Sequence, residues 1–154
     1  MRRVCADACF LIALYDERDD LYPVARQWFA DLFENTLNRL IVPWPALYET
    51  VSTRMVRSPR RIERMYIEWR NLKANQRLDL LDDGPFRDGA LDGCFAEPAK
   101  GLRRYRALSL TDRVIRAMLA DAGTRIDVFL TFNARDFTDV CQEFRREILP
   151  STGA

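Results

Sequence analysis

Four oxygen-bearing side chains of this 154-residue chain stand where chemistry is done: Asp7 in VCADACFLIAL, Glu49 in VPWPALYETVSTR, Asp112 in LSLTDRVIRAMLADAG and Asn133 in LTFNARDF. Asp136 follows three residues after Asn133. The chain contains no histidine, so Ser-His-Asp or Cys-His nucleophilic machinery and imidazole acid/base catalysis are excluded within it. An enzyme built from these residues works with carboxylates, a metal ion or a borrowed cofactor.

The four cysteines (Cys5, Cys9, Cys94 and Cys141) lack the paired spacing of a zinc site and read as reduced thiols of a cytoplasmic protein. No apolar run approaches the roughly 20 residues that span a bilayer, and the one near the N-terminus is interrupted by Asp7, so neither a signal peptide nor a membrane anchor is expected. The length and the 48% apolar content suit one globular domain, expected over residues 1–150 with a short tail at 151–154. The net charge of +1 is uninformative, but every basic residue except Lys73 and Lys100 is arginine, the fork-shaped phosphate binder.

These polar groups need elements to position them. RRVCA (2–6) reads as a strand, with a helix opening after Asp7 and continuing, past a charged break, through YPVARQWFADLF. RLIVPW (39–44) is a continuous apolar run typical of a strand buried on both faces, and Pro45 suits the first turn of the next helix. On that helix Leu47, Tyr48, Val51 and Met55 share one side, with Glu49 pointing away. A helix over about 60–72, a strand at 77–82, a helix over 108–123, a strand at IDVFL and a fifth at REILP complete the pattern. The glycine- and proline-interrupted segment 83–107 reads as loop with short helix. Strands alternating with helices predict a three-layer α/β/α domain around a parallel sheet of about five strands.

In such a sheet the strand C-termini and the openings of the following helices share one edge, where ligands bind. Asp7, Glu49, Asp112 and Asn133 all fall there. Each also has a purely structural explanation: Asp7 as a helix N-cap, Glu49 as a complement to the helix dipole, Asp112 as half of a capping box with Ser109, Asn133 and Asp136 as turn residues. Separate explanations leave their convergence unexplained. Three gathered carboxylates repel one another, and a divalent cation relieves that repulsion. Oxygen donors alone select a hard ion, Mg²⁺ or Mn²⁺, of the kind that assists water attack on a phosphoryl group.

In order along nearly the whole chain, these motifs resemble the PIN domain family, and its VapC-like toxin ribonucleases in particular. The resemblance implies a five-stranded parallel sheet, acids that bind Mg²⁺ or Mn²⁺, and endonucleolytic cleavage of RNA. It makes Asp7, Glu49 and Asp112 the metal-binding acids and has Thr131 orient the site. It also implies an antitoxin protein as partner and self-association as a homodimer. Asn133 stands where many members carry a fourth acid; its carbonyl oxygen remains a metal ligand, with Asp136 as a water ligand or helix opener. Ala8 and Cys9 stand where many members have a hydroxyl or amide residue.

Two arginine clusters are candidates for an RNA-facing surface: Arg54, Arg57, Arg60, Arg61 and Arg64, and Arg103, Arg104 and Arg106 beside Tyr105. The alternative is a solvated helix face pairing with Glu63 and Glu68. Arg116, one turn after Asp112, is placed to pair with that acid or to meet a phosphate. Against the nuclease stands a catalytically weak PIN-like module that binds RNA or protein, which Ala8 and Asn133 favour. A haloacid-dehalogenase-like phosphatase would need an aspartate where Cys9 stands, and no Gly-rich phosphate loop follows any strand.

Overall fold

The computed structural model describes residues 1–150; the tail expected at 151–154 lies outside the described residues. Five short parallel strands, β1 (Arg3–Ala6), β2 (Arg39–Pro43), β3 (Leu78–Leu81), β4 (Val128–Leu130) and β5 (Glu147–Leu149), form one sheet in the order β3-β2-β1-β4-β5. β1 sits at the centre with both faces covered, which is why its apolar residues run without alternation. Val4 and Ala6 face one core with Phe10, Leu14 and Leu40, while Cys5 faces a second core with Ile41, Ile115 and Phe129. The three-layer α/β/α expectation is met, with REILP supplying the fifth strand.

The helices are α1 (Ala8–Tyr15), α2 (Tyr22–Phe33), α3 (Trp44–Thr50), α4 (Thr53–Val56), α5 (Pro59–Ala74), α6 (Gly84–Ala96), α7 (Leu110–Ala120) and α8 (Thr138–Glu143). Prolines occupy the first turns of α2, α3, α5 and α6, where a missing N–H costs no hydrogen bond.

Two expectations change. Residues 44–56 do not form one helix with an apolar stripe: α3 ends at Thr50, whose hydroxyl bonds back to Ala46 O at 2.7 Å, and Tyr48 is 71% exposed. The buried side of α3 is Ala46 and Thr50. Segment 83–107 is more ordered than its glycines suggest. It forms the 13-residue α6 and a 3₁₀ turn at Glu97–Lys100, and α6 packs on α7 with Ala90 buried in the second core. Gly89 tolerates the helix there because packing, not propensity, decides.

Candidate active site at the strand C-terminal edge

The register of the central strands builds the site. Ala6 pairs with Leu130, so the next residues of the two strands, Asp7 and Thr131, emerge side by side. Asp7 N donates to Leu130 O at 2.9 Å and Thr131 N to Leu149 O at 2.9 Å, which carries the ladder past the strand ends.

Asp7 is 6% exposed. Its Oδ1 accepts from Ala8 N at 2.7 Å, capping α1, and its Oδ2 accepts from Thr131 Oγ1 at 3.0 Å and from Cys9 Sγ at 3.3 Å. The cap on α1 and the contacts to Thr131 and Cys9 thus use different oxygens of one carboxylate. Burial raises its pKa above the ordinary aspartate value, the three hydrogen bonds work against that rise, and the nearby charge of Asp112 adds to it. The Cys9 thiol contacts Thr131 Oγ1 at 3.3 Å and accepts from Phe132 N at 3.3 Å. Burial first, then the Asp7 carboxylate, pushes its pKa up to about 12, so the sulfur stays protonated and serves as a donor.

Glu49 is exposed on α3, and its pKa is raised by partial desolvation and then by Asp7 and Asp112. Asp112 completes the capping box: Ser109 Oγ accepts from Asp112 N at 3.0 Å, and Asp112 Oδ2 accepts from Ser109 N at 3.3 Å. The three acids therefore lie within Coulomb reach of one another, as the edge argument requires. Yet among the described residues no three His, Cys, Asp or Glu side chains already stand as a metal cluster. The donors fit a hard cation in kind, being oxygen only, and burial first and then neighbouring acid charge disfavour the anions of Asp7 and Glu49.

Asn133 follows from Thr131 directly: its N–H donates to Thr131 Oγ1 at 3.0 Å, and its Nδ2 donates to Asp136 Oδ2 at 2.7 Å. A continuous chain of hydrogen bonds therefore runs Asp7, Thr131, Asn133, Asp136. Asp136 is also held from its backbone, its carbonyl oxygen accepting from Arg106 at 3.3 Å.

Arg116 neither pairs with Asp112 nor stands free. Its guanidinium donates to Asp136 O at 2.6 Å and grips Asp139 at 2.7 and 2.8 Å, because α8 follows the turn closely enough to bring Asp139 onto α7. Arg106 grips the same carboxylate at 2.8 and 3.2 Å. Sequence reasoning missed Asp139, Arg106 as a turn anchor, and Glu97, which is 2% exposed and holds Lys100, Arg113 and the backbone of Arg106. Only spatial neighbourhood reveals them, since their partners lie up to 33 residues away.

The first arginine cluster divides. Arg61 is buried against Asp16 at 2.6 Å and reaches Glu17, and Arg54 spans Asp16 and Asp19 at 2.5 and 3.1 Å. Their partners are the acids between α1 and α2, not Glu63 or Glu68, because α5 packs across that break. Glu68 pairs instead with Arg26. Arg57 and Arg60 remain exposed on the rim of the same cavity of about 910 Å³. A second groove, of about 950 Å³, runs beside Glu49 between α3, α6 and the opening of α7.

No family model matches this sequence, and no curated protein matches it in sequence. Solved structures do match in shape. The VapC20 toxin of Mycobacterium tuberculosis, described as cleaving the sarcin-ricin loop, superposes with a TM-score of 0.62 at 14% identity over 88% of this chain and 94% of that one. VapBC2 from Rickettsia felis, solved with a fragment of promoter DNA, gives 0.53 at 10% identity over 95% and 96%. No helix of the described residues is long and apolar enough to cross a membrane. With its β3-β2-β1-β4-β5 parallel sheet and acids at the strand C-terminal edge, the chain has the PIN-domain fold of the VapC toxins.

Proposed function

We propose that this protein is a metal-dependent endoribonuclease that hydrolyses RNA phosphodiester bonds as the cytoplasmic toxin of a toxin–antitoxin pair. The observation that carries the reading is the gathering of Asp7, Glu49 and Asp112 at the strand C-terminal edge, where burial first and then neighbouring acid charge raise the pKa of Asp7 and Glu49, on the fold of RNA-cleaving toxins. Asp7, Glu49 and Asp112 would hold Mg²⁺ or Mn²⁺, with Asn133 Oδ1 as a neutral ligand and Asp136 bracing it. Bound there, the ion supplies Lewis-acid stabilisation of the charge on a phosphodiester attacked by water.

The chain's own residues do the rest. Ala8 N, Cys9 and Thr131 fix the Asp7 carboxylate in one rotamer, and the Ser109 cap fixes Asp112. Arg57 and Arg60, exposed and unburdened by the acids that hold Arg54 and Arg61, are the members of that cluster suited to meet phosphates. A partner antitoxin and a homodimer accompany this reading.

A second reading, a PIN-like module that binds RNA without cleaving it, is favoured by the absence of a ready-made three-acid cluster among the described residues. Cleavage of structured and unstructured RNA with Mg²⁺, Mn²⁺ or chelator, by wild type, Asp7→Asn and Asp112→Asn, separates the two. The nuclease predicts metal-dependent cleavage lost in both variants. Equal cleavage by all three proteins would place the activity elsewhere, and binding without cleavage would select the module.

A further inference from the structure

Beside the acids lies a smaller cavity of about 470 Å³, lined by Tyr105, Arg106, Ala107, Asn133, Arg135 and Asp136. Its volume falls within the roughly 300–1,000 Å³ of small-ligand sites. It joins the RRYR segment to the turn after β4, two stretches that sequence alone does not bring together. We propose that this cavity receives a guanine base of single-stranded RNA, so that the enzyme reads one base next to the bond it cuts; the proposal rests on the ribonuclease reading.

The lining has the parts of a base pocket. Tyr105 is 52% exposed, a flat surface on which an unstacked base can lie. Ala107 leaves room beside it. The Asp136 carboxylate offers two neighbouring acceptor oxygens: Oδ2, which already accepts from Asn133 Nδ2 at 2.7 Å and keeps a second lone pair, and Oδ1, which accepts from no side chain among the described residues. Guanine is the base whose Watson–Crick edge offers two adjacent donor groups, N1–H and N2–H₂, to such a pair. Uracil offers one donor between two carbonyls, and adenine and cytosine each pair a donor with an acceptor. Arg106 and Arg116 are committed to Asp139, whereas Arg135 is exposed and among the described residues takes part in no ion pair. A guanidinium matches the O6 and N7 acceptors of guanine. The acceptors are also preorganised, because Asp136 O accepts from Arg116 at 2.6 Å and from Arg106 at 3.3 Å, which pins the turn before any base arrives.

The test is equilibrium binding of four fluorescein-labelled RNA oligomers, UUGUU, UUAUU, UUCUU and UUUUU, to the whole protein in chelator, read by anisotropy. The wild type should bind UUGUU about tenfold tighter than the other three. Asp136→Asn, which turns an acceptor into a donor, should cut that preference to about twofold or less. Arg135→Ala, at an exposed position that folding does not need, should reduce it while leaving the other three affinities within about twofold. Tyr105→Ala should weaken all four alike. Equal wild-type affinities, or a guanine preference that survives both Asp136→Asn and Arg135→Ala, would overturn the proposal. A protein that prefers guanine and cleaves no RNA would sink the nuclease and keep the pocket; a metal-dependent nuclease indifferent to the base would do the reverse.

Discussion

Thr131 Oγ1 donates to Asp7 Oδ2 at 3.0 Å across 124 residues of sequence, and the same oxygen accepts from Asn133 N at 3.0 Å. One hydroxyl thereby holds the first acid of the proposed site and starts the turn that carries the next polar group. Donor and acceptor roles are both used, so no substitute without both can replace it.

Thr131→Val should therefore lower cleavage by roughly 10- to 100-fold, the usual cost of losing a group that orients a metal-binding side chain. Thr131→Ser keeps the hydroxyl and should stay within about threefold of wild type, by the same reasoning. Equal losses in both variants would mean that packing of the threonine methyl, not the hydrogen bond, matters.

Asp7 gives a stability prediction of unusual sign. Its pKa is raised, as is that of Glu49, so the metal-free fold favours the protonated acids. The stability they contribute is fully present below the ordinary carboxylate range and is lost as pH rises through the raised values. Asp7→Asn keeps the N-cap and removes the charge. In chelator at pH 7 it should melt roughly 2–4 °C higher, about 1 kcal/mol for a chain of this size, while losing cleavage. The gain should vanish below about pH 4, where the wild-type acids are neutral too. A variant that melts at or below wild type at pH 7 would contradict the strained-acid account.

The sheet was legible because its signals are local. RLIVPW is an apolar run after its opening arginine, RRVCA a short strand with a basic start, and Pro45 marks a helix opening by a rule that needs no tertiary knowledge. The placement of Asp7 and Asn133 just past β1 and β4 was legible for the same reason, since strand ends map onto one edge once the topology is parallel. What was hidden depends on distant partners. Nothing near Arg61 announces that Asp16, 45 positions earlier, will bury it. The glycines of segment 84–96 argue against the helix that packing against α7 imposes.

The two arginines on Asp139 yield a prediction about the turn. Arg116 and Arg106 hold the Asp139 carboxylate well below the usual carboxylate range, and both also bind the carbonyl of Asp136. Arg116→Ala should free the Asn133–Asp136 turn, lowering kcat by about tenfold or more with KM little changed, since a misplacement near 1 Å is costly to positioned chemistry. Arg116→Lys should not rescue it, because an ammonium cannot grip a carboxylate and a carbonyl with one planar fork. Full activity in the lysine variant would reduce the clamp to a simple charge contact.

Glu97 makes the last prediction, about the segment that carries Tyr105 to the site. It is 2% exposed, and Lys100 first, then the backbone N–H of Arg106, with help from Arg113, hold its pKa down to about 2. Arg113 also donates to Arg106 O at 3.2 Å, so this one carboxylate gathers both ends of residues 97–106 onto α7. A lowered pKa means stability that is present above the ordinary glutamate value and lost as pH falls through about 2. Glu97→Gln keeps the shape and removes the charge, leaving the half-buried Arg113 beside a neutral amide. Limited proteolysis at pH 7 should then cut within 100–107 several-fold faster in the variant. The wild type should approach that susceptibility only in acid, as measured with an acid protease from pH 4 down to pH 2, before its sheet unfolds. Unchanged protection in Glu97→Gln would show that α6 alone, through its packing on α7, holds the segment in place.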